Sequence, residues 1–227
     1  MSEEILRAMM ELFALIVKQD GGMLPGEREF VADFLSKQLP HQSADEFMHL
    51  FLDEAGPLRE GGEKSSIDTA SVRDSIRILN NCKKINKTLS QEQRVIVLLR
   101  CIELIESDRQ FTPRRMNIIN TIAEVFRISG EEFQSIMQFV GGDTRESFTA
   151  PSMVVMDISA LSGKESEVRQ FIVFLKIESV DLYFMKCFCE GTTLLNGLPV
   201  VCRRVYLFAS GSSIQAPPVP TIYFSDI

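Results

Sequence analysis

One arrangement occurs twice in this chain, and it restricts the fold more than any other feature. An apolar segment over 3–19 runs into "QDGGMLPGE", then a stretch with helical spacing, then "SADEF". Far downstream, an apolar segment over 90–107 runs into "SDRQFTPRR", a second stretch with helical spacing, and "SGEEF". The spacing from Asp20 to Pro25 equals that from Asp108 to Pro113. A repeated supersecondary unit hides its apolar face by packing on its neighbour. Residues 1–140 are therefore expected to form a pseudo-symmetric, all-α helical bundle.

The individual helices follow from periodicity. Residues 3–19 are apolar on nearly every side (Ile5, Leu6, Met9, Met10, Leu12, Phe13, Leu15, Ile16, Val17), which places this helix inside the bundle. Residues 26–38 carry Phe30, Val31, Phe34 and Leu35 at helical spacing. A capping box of Ser43 and Glu46 predicts a helix over 43–52. Helices are also expected over 70–86, with Val72, Ile76 and Leu79 as its stripe, and over 90–107, with Ser90 as N-cap. Residues 113–127 and 129–140 complete the set, the last opened by a second capping box, Ser129 with Glu132. The two halves are expected to close around Phe13, Phe34, Ile102 and Ile122.

After "GGDTRESFTAPS", a polar linker over 141–152, the pattern changes. "MVVMDI", "QFIVFLKI", "VDLYFMKCF", "VYLFA" and "TIYFSDI" are short β-branched and aromatic runs separated by turn residues. Asn196–Gly197 in "LLNGLPV" predicts a two-residue type I′ hairpin, since both residues tolerate positive φ. Residues 153–227 are expected to form a small antiparallel β-sandwich. The whole chain is then α + β in two domains, 1–140 and 153–227. It ends inside "TIYFSDI", which fits either a natural terminus or a cut at a domain boundary.

Charge narrows the function classes. The chain has 227 residues and a formal charge of 24 − 31 = −7. Neither domain presents a strongly basic composition, so binding to nucleic acid through phosphates is not expected. The run Lys83, Lys84, Lys87 reads as a solvated helix face. "MSEE" is acidic where a secretory signal is basic, and the longest apolar run, "LFALIV", is far shorter than the ~20 residues that span a bilayer. A cytoplasmic location is expected. The five cysteines (82, 101, 187, 189, 202) match no zinc spacing and read as buried free thiols. No nucleophile elbow, phosphate loop or zinc motif is present. "LSGKES" at 161–166 lacks the first glycine of a phosphate loop and reads as a turn, and His41 and His49 have no acid or cysteine at ligand spacing. The chain is therefore not expected to be an enzyme.

The repeated loops are the candidate site. Asp20 at the end of one helix and Glu27 in the first turn of the next could converge, and carboxylates with loop carbonyls hold hard cations such as Ca²⁺ or Mg²⁺. The same residues also suit a structural loop: Asp before glycine is a turn residue, and Glu in a first turn complements the helix dipole. In the second copy Arg115 replaces the glutamate, and Asp108 with Arg115 is expected as a surface ion pair.

At these residues a family resemblance becomes specific. "QDGGMLPGE" resembles the acidic loop of TerB-like domains, the helical family of tellurite-resistance proteins and of the N-terminal region of DjlA-type co-chaperones. "IESDRQFTPRRMNIINTIAEVFRISGEEF" resembles the second half of those domains, and the likeness covers about 3–140. In the family, acidic residues of these loops are associated with divalent-metal binding. By position this carries over to Asp20, Glu27 and Asp108, and it fails at Arg115. "LLNGLPVVCRRVYLFASGSSIQAP" is similar to the last strands of forkhead-associated (FHA) domains, without the Gly-Arg and Ser-x-x-His elements that bind phosphothreonine. The combination resembles the N-terminal region of bacterial ABC transporter ATP-binding proteins of the Bacteroidetes type. It implies a non-catalytic regulatory or interaction region. The partner would be a protein or a downstream ATPase domain, and contact with a membrane would come only through a transporter. The alternative is a divalent-cation-responsive stress protein of the tellurite-resistance type.

Overall fold

The computed structural model describes residues 3–19, 21–58, 72–158, 170–189, 192–217 and 219–227. Its contacts divide into two compact units, Met1–Ser129 and Gly130–Ile227, each considered by itself.

In the first unit, α1 (Glu3–Lys18) buries residues around its whole circumference, from Ile5 and Leu6 through Phe13 to Val17. It packs against α3 (His41–Ala55), α4 (Val72–Thr88) and α5 (Gln91–Glu106). The helix α5 is its counterpart in the second copy and buries Val95, Leu98, Leu99, Ile102 and Ile105 among others. The helices that follow each loop, α2 (Pro25–Gln38) and α6 (Pro113–Val125), are amphipathic. Their equivalent positions are buried in step: Glu27, Val31 and Leu35 in one, Arg115, Ile119 and Ala123 in the other. Both helices carry proline at their first position, where a missing N–H costs little. Phe13, Ile102 and Ile122 are fully buried, as expected. Phe34 is half-buried and meets Phe13 edge-on, with ring centroids 5.9 Å apart.

Two local expectations need correction. The helix α3 begins at His41 after Pro40, so Ser43 lies inside it and does not cap it. Proline supplies the extended backbone that sets the start. In α4 the buried stripe is Ile78, Cys82 and Ile85, whereas Ile76 is 52% exposed and Leu79 36%. Both stripes satisfy helical spacing, and contact with α1 and α6 selects the second. Ser90 does cap α5, accepting from the Gln93 N–H while the Gln93 side chain accepts from the Ser90 N–H. Residues 161–166 fall outside the described residues.

The second unit joins α7 (Gly130–Gly141) to two four-stranded antiparallel sheets. One has the order β1 (Met153–Asp157), β2 (Phe171–Ile177), β3 (Leu182–Phe188), β6 (Val205–Leu207). The other runs β5 (Leu198–Pro199), β4 (Leu194–Leu195), β7 (Ser213–Gln215), β8 (Ile222–Tyr223). Ile172, Phe174 and Met185 from the first, with Phe208 just past β6, share a core with Ile214 and Ile222 from the second, so the sheets form a small sandwich. Phe171 to Leu175 are buried without alternation because α7 packs on β2 from the side opposite that core. The hairpin between β4 and β5 turns on Asn196 (φ 52°) and Gly197 (φ 79°), as the Asn–Gly pair predicts.

Lys186 on β3 is 2% exposed. Its ammonium donates to the carbonyls of Val140 (2.6 Å) and Gly142 (3.0 Å), so a buried cation caps the C-terminal end of α7. Glu132, in the first turn of α7, accepts from the Ser179 N–H and hydroxyl (2.8 and 3.0 Å).

Candidate functional site

The first loop leaves α1 through Gly21 (φ 88°) and Gly22 (φ 133°), a backbone that glycine adopts freely. Leu24 occupies the N-cap position of α2 and has no side-chain acceptor to offer. Two carboxylates supply what it lacks. Glu27 Oε2 reaches back to accept from the Leu24 N–H at 2.8 Å. Asp108, 81 positions further along the chain, accepts from the Glu27 N–H through Oδ2 at 2.9 Å. The second copy's loop thus caps the helix of the first. The approach is so close that a Cβ on Gly26 would lie 2.8 Å from Asp108 Oδ1 and 3.0 Å from the Ser107 carbonyl oxygen. Glycine at 26 is a consequence of that contact. In the second copy Thr112 is the N-cap of α6 and accepts from the Arg115 N–H at 3.4 Å.

Arg115 lies across from Glu27. Its Nη1 is 2.6 Å from Glu27 Oε1, and both side chains are completely buried. Nη2 lies 3.5 Å from the carbonyl oxygen of Val17, in the last turn of α1. Arg115 is therefore no surface residue, and the expected surface pair with Asp108 is corrected: the guanidinium is aimed into the bundle at Glu27. Burial pushes the Glu27 carboxyl above its ordinary value, opposed by the Arg115 guanidinium and the Leu24 N–H; the Asp108 charge adds to the upward push.

Of the three expected ligand residues, Glu27 and Asp108 are neighbours joined through a backbone N–H. Asp20 lies outside the described residues. Among those described, no group of three His, Cys, Asp or Glu side chains converges as a metal cluster. Each Glu27 oxygen already has a partner, one an arginine and one an N–H. His41 and His49 are exposed on α3. Among the described residues the arrangement binds charge internally, arginine against glutamate. The repeat held a signal for Arg115: opposite charges at equivalent positions of two copies that face each other.

The profile of the family described as "Tellurite resistance protein TerB" matches residues 6–138. The chain belongs to the TerB family. No curated protein and no solved structure matches it. The TerB match runs through the first unit and on into α7. It begins and ends within the seven helices and leaves the two sheets outside it. The chain thus carries a tellurite-resistance-type domain followed by an antiparallel β region. Among the described residues no helix is long and apolar enough to cross a membrane.

Proposed function

We propose that the TerB domain of this chain is a non-catalytic interaction and regulatory module whose acidic loops are neutralised from within. The observation that carries this reading is the Arg115–Glu27 contact: the guanidinium brings to Glu27 the positive charge that a loop cation would otherwise bring. On the resemblance to ABC transporter ATP-binding proteins, the partner is a protein or an ATPase domain of the same polypeptide. The module then works in the cytoplasm and meets a membrane only through a transporter. The FHA-like character of the β region is part of the same proposal. It rests on the Asn196–Gly197 hairpin and the residues around it.

A second reading, a divalent-cation-responsive protein of the tellurite-resistance type, draws on the adjacency of Asp108 and Glu27, with Asp20 as third ligand. Calorimetry with Ca²⁺ and Mg²⁺ separates the two. The first reading expects no heat from the natural chain at millimolar metal. Saturable heat that disappears in both Asp20→Ala and Glu27→Gln overturns it in favour of the second.

A further inference from the structure

The chain is acidic overall, yet one cleft in its first unit is basic. It lies between α1 and α4, has a volume of about 450 Å³, and is lined by Glu11, Arg77, Asn80, Asn81, Lys83, Lys84 and Lys87. Six of these seven come from one broad face of α4. Arg77 is engaged with Glu54, and Glu11 is the one carboxylate in the lining. Lys83, Lys84 and Lys87 are exposed and form no ion pair among the described residues. The helix dipole accounts for a cation in the last turn, where Lys87 sits; Lys83 and Lys84 lie further in.

A second observation points to a ligand. Asn81 is 3% exposed, and its amide Nδ2 has no hydrogen-bond partner among the described residues. A buried donor left without an acceptor is unfavourable, and native proteins seldom tolerate one without a reason. Asn81 is one of the residues lining the cleft, so an acceptor held there can take up that N–H. Three ammonium groups and an amide donor around one hollow match an anion with several oxygen acceptors. No aromatic or aliphatic residue lines the cleft, so nothing in it favours an apolar body or a stacked base. The net charge of −7 repels a long polyanion beyond the cleft.

We propose that the α4 cleft binds a small, multiply charged oxyanion, with Lys83, Lys84 and Lys87 as its counter-charges and Asn81 as the donor that fixes its orientation. This site is separate from the Glu27–Arg115 pair, and its occupancy stands or falls independently of the reading given above for the loops.

The test is calorimetric titration of the full chain with pyrophosphate, inorganic phosphate and tellurite in separate arms. The expected result is saturable binding of at least one of them. That binding should weaken about tenfold or more in the Lys83→Gln/Lys84→Gln/Lys87→Gln variant. These side chains are exposed, so the variant should keep the melting temperature of the natural chain. Asn81→Asp, which places a carboxylate where the amide stands, should weaken the same ligand. Pyrophosphate tighter than tellurite marks a condensed phosphate as the ligand, and the reverse order marks the metalloid oxyanion. No saturable binding of any of the three at millimolar concentration overturns the proposal. So does binding that the triple variant retains in full, and so does tighter binding of duplex DNA at the same lysines.

Discussion

Glu27 and Arg115 occupy equivalent positions in the two copies of the repeat and meet as an ion pair, Oε1 to Nη1 at 2.6 Å, with neither side chain exposed. One copy supplies the anion and the other the cation, so the contact exists only when the halves are in register. Moving two charges out of water is costly, and such a pair stabilises little relative to a well-packed apolar pair of similar volume. Its stronger effect is on removal of one partner. An unpaired charge is then left in the core, which disfavours any arrangement that separates α2 from α6.

Arg115→Met should therefore destabilise the chain by about 3–5 kcal/mol at neutral pH. The loss should depend on pH with a defined sign. Burial raises the Glu27 carboxyl above 4.5, and the variant removes the opposing guanidinium. A group whose folded value lies above its unfolded one contributes stability below the unfolded value and loses it as pH rises through the folded value. Urea denaturation should accordingly show the deficit of Arg115→Met shrinking as pH falls toward 4.5. A deficit constant from pH 4.5 to 8 would contradict the assignment.

Gly26→Ala should destabilise despite the better helix propensity of alanine. The new methyl meets Asp108 Oδ1 at 2.8 Å and the Ser107 carbonyl oxygen at 3.0 Å, and the second is backbone. Displacing Asp108 also removes the acceptor for the Glu27 N–H. A loss of about 1–2 kcal/mol is expected, similar to that of Asp108→Ala, because both abolish the same cap. A stabilised Gly26→Ala would mean that the loops stand further apart than described.

Lys186→Met keeps the apolar stem and removes the ammonium that serves the Val140 and Gly142 carbonyls. The expected cost is about 1–3 kcal/mol. Hydrogen exchange should localise it, with protection falling in the last turn of α7 and holding in β2. An unchanged last turn would show that the carbonyls find other donors.

The thiols should differ sharply in reactivity. A hydrogen bond from Cys187 pulls the Cys189 thiol down to about 7, with a smaller contribution from the Thr193 side chain, while burial pushes Cys82 up to about 12. Thiolate is the reactive form, so alkylation of Cys189 should rise with pH through about 7. Cys82, on the buried face of α4, should stay unlabelled in the native chain. Mass spectrometry of peptides resolves the two, and Cys187→Ala should move the Cys189 profile to higher pH. Equal labelling of Cys189 and Cys82 at pH 7 would contradict this.

What the sequence disclosed depended on range. The buried helix α1, the Ser90 cap and the Asn196–Gly197 turn are set by residues within a few positions of one another, and their patterns are unambiguous. The stripe of α4 is ambiguous in the sequence, because Ile76 with Leu79 and Ile78 with Cys82 and Ile85 obey the same period, and only the neighbouring helices choose between them. Ser43 imitates a cap, but Pro40 starts α3 earlier. The closeness of Glu27 and Asp108 joins positions 81 apart, and no local pattern discloses it. The inward turn of Arg115 requires knowing that the copies face each other. In the sequence Lys83, Lys84 and Lys87 look like a solvated face, because the hollow beside them needs α1 alongside α4, which no local pattern reveals.

The account turns on the two halves being pinned by one internal charge pair, and a double-mutant cycle measures that directly. Urea denaturation of the natural chain, Glu27→Gln, Arg115→Met and the double variant at neutral pH gives the coupling between the two side chains. The expected result is that the double variant is more stable than the sum of the single losses allows, by about 2–3 kcal/mol. Single losses that add within about 0.5 kcal/mol would show that Glu27 and Arg115 do not act on each other, and the internally neutralised loop would have to be abandoned.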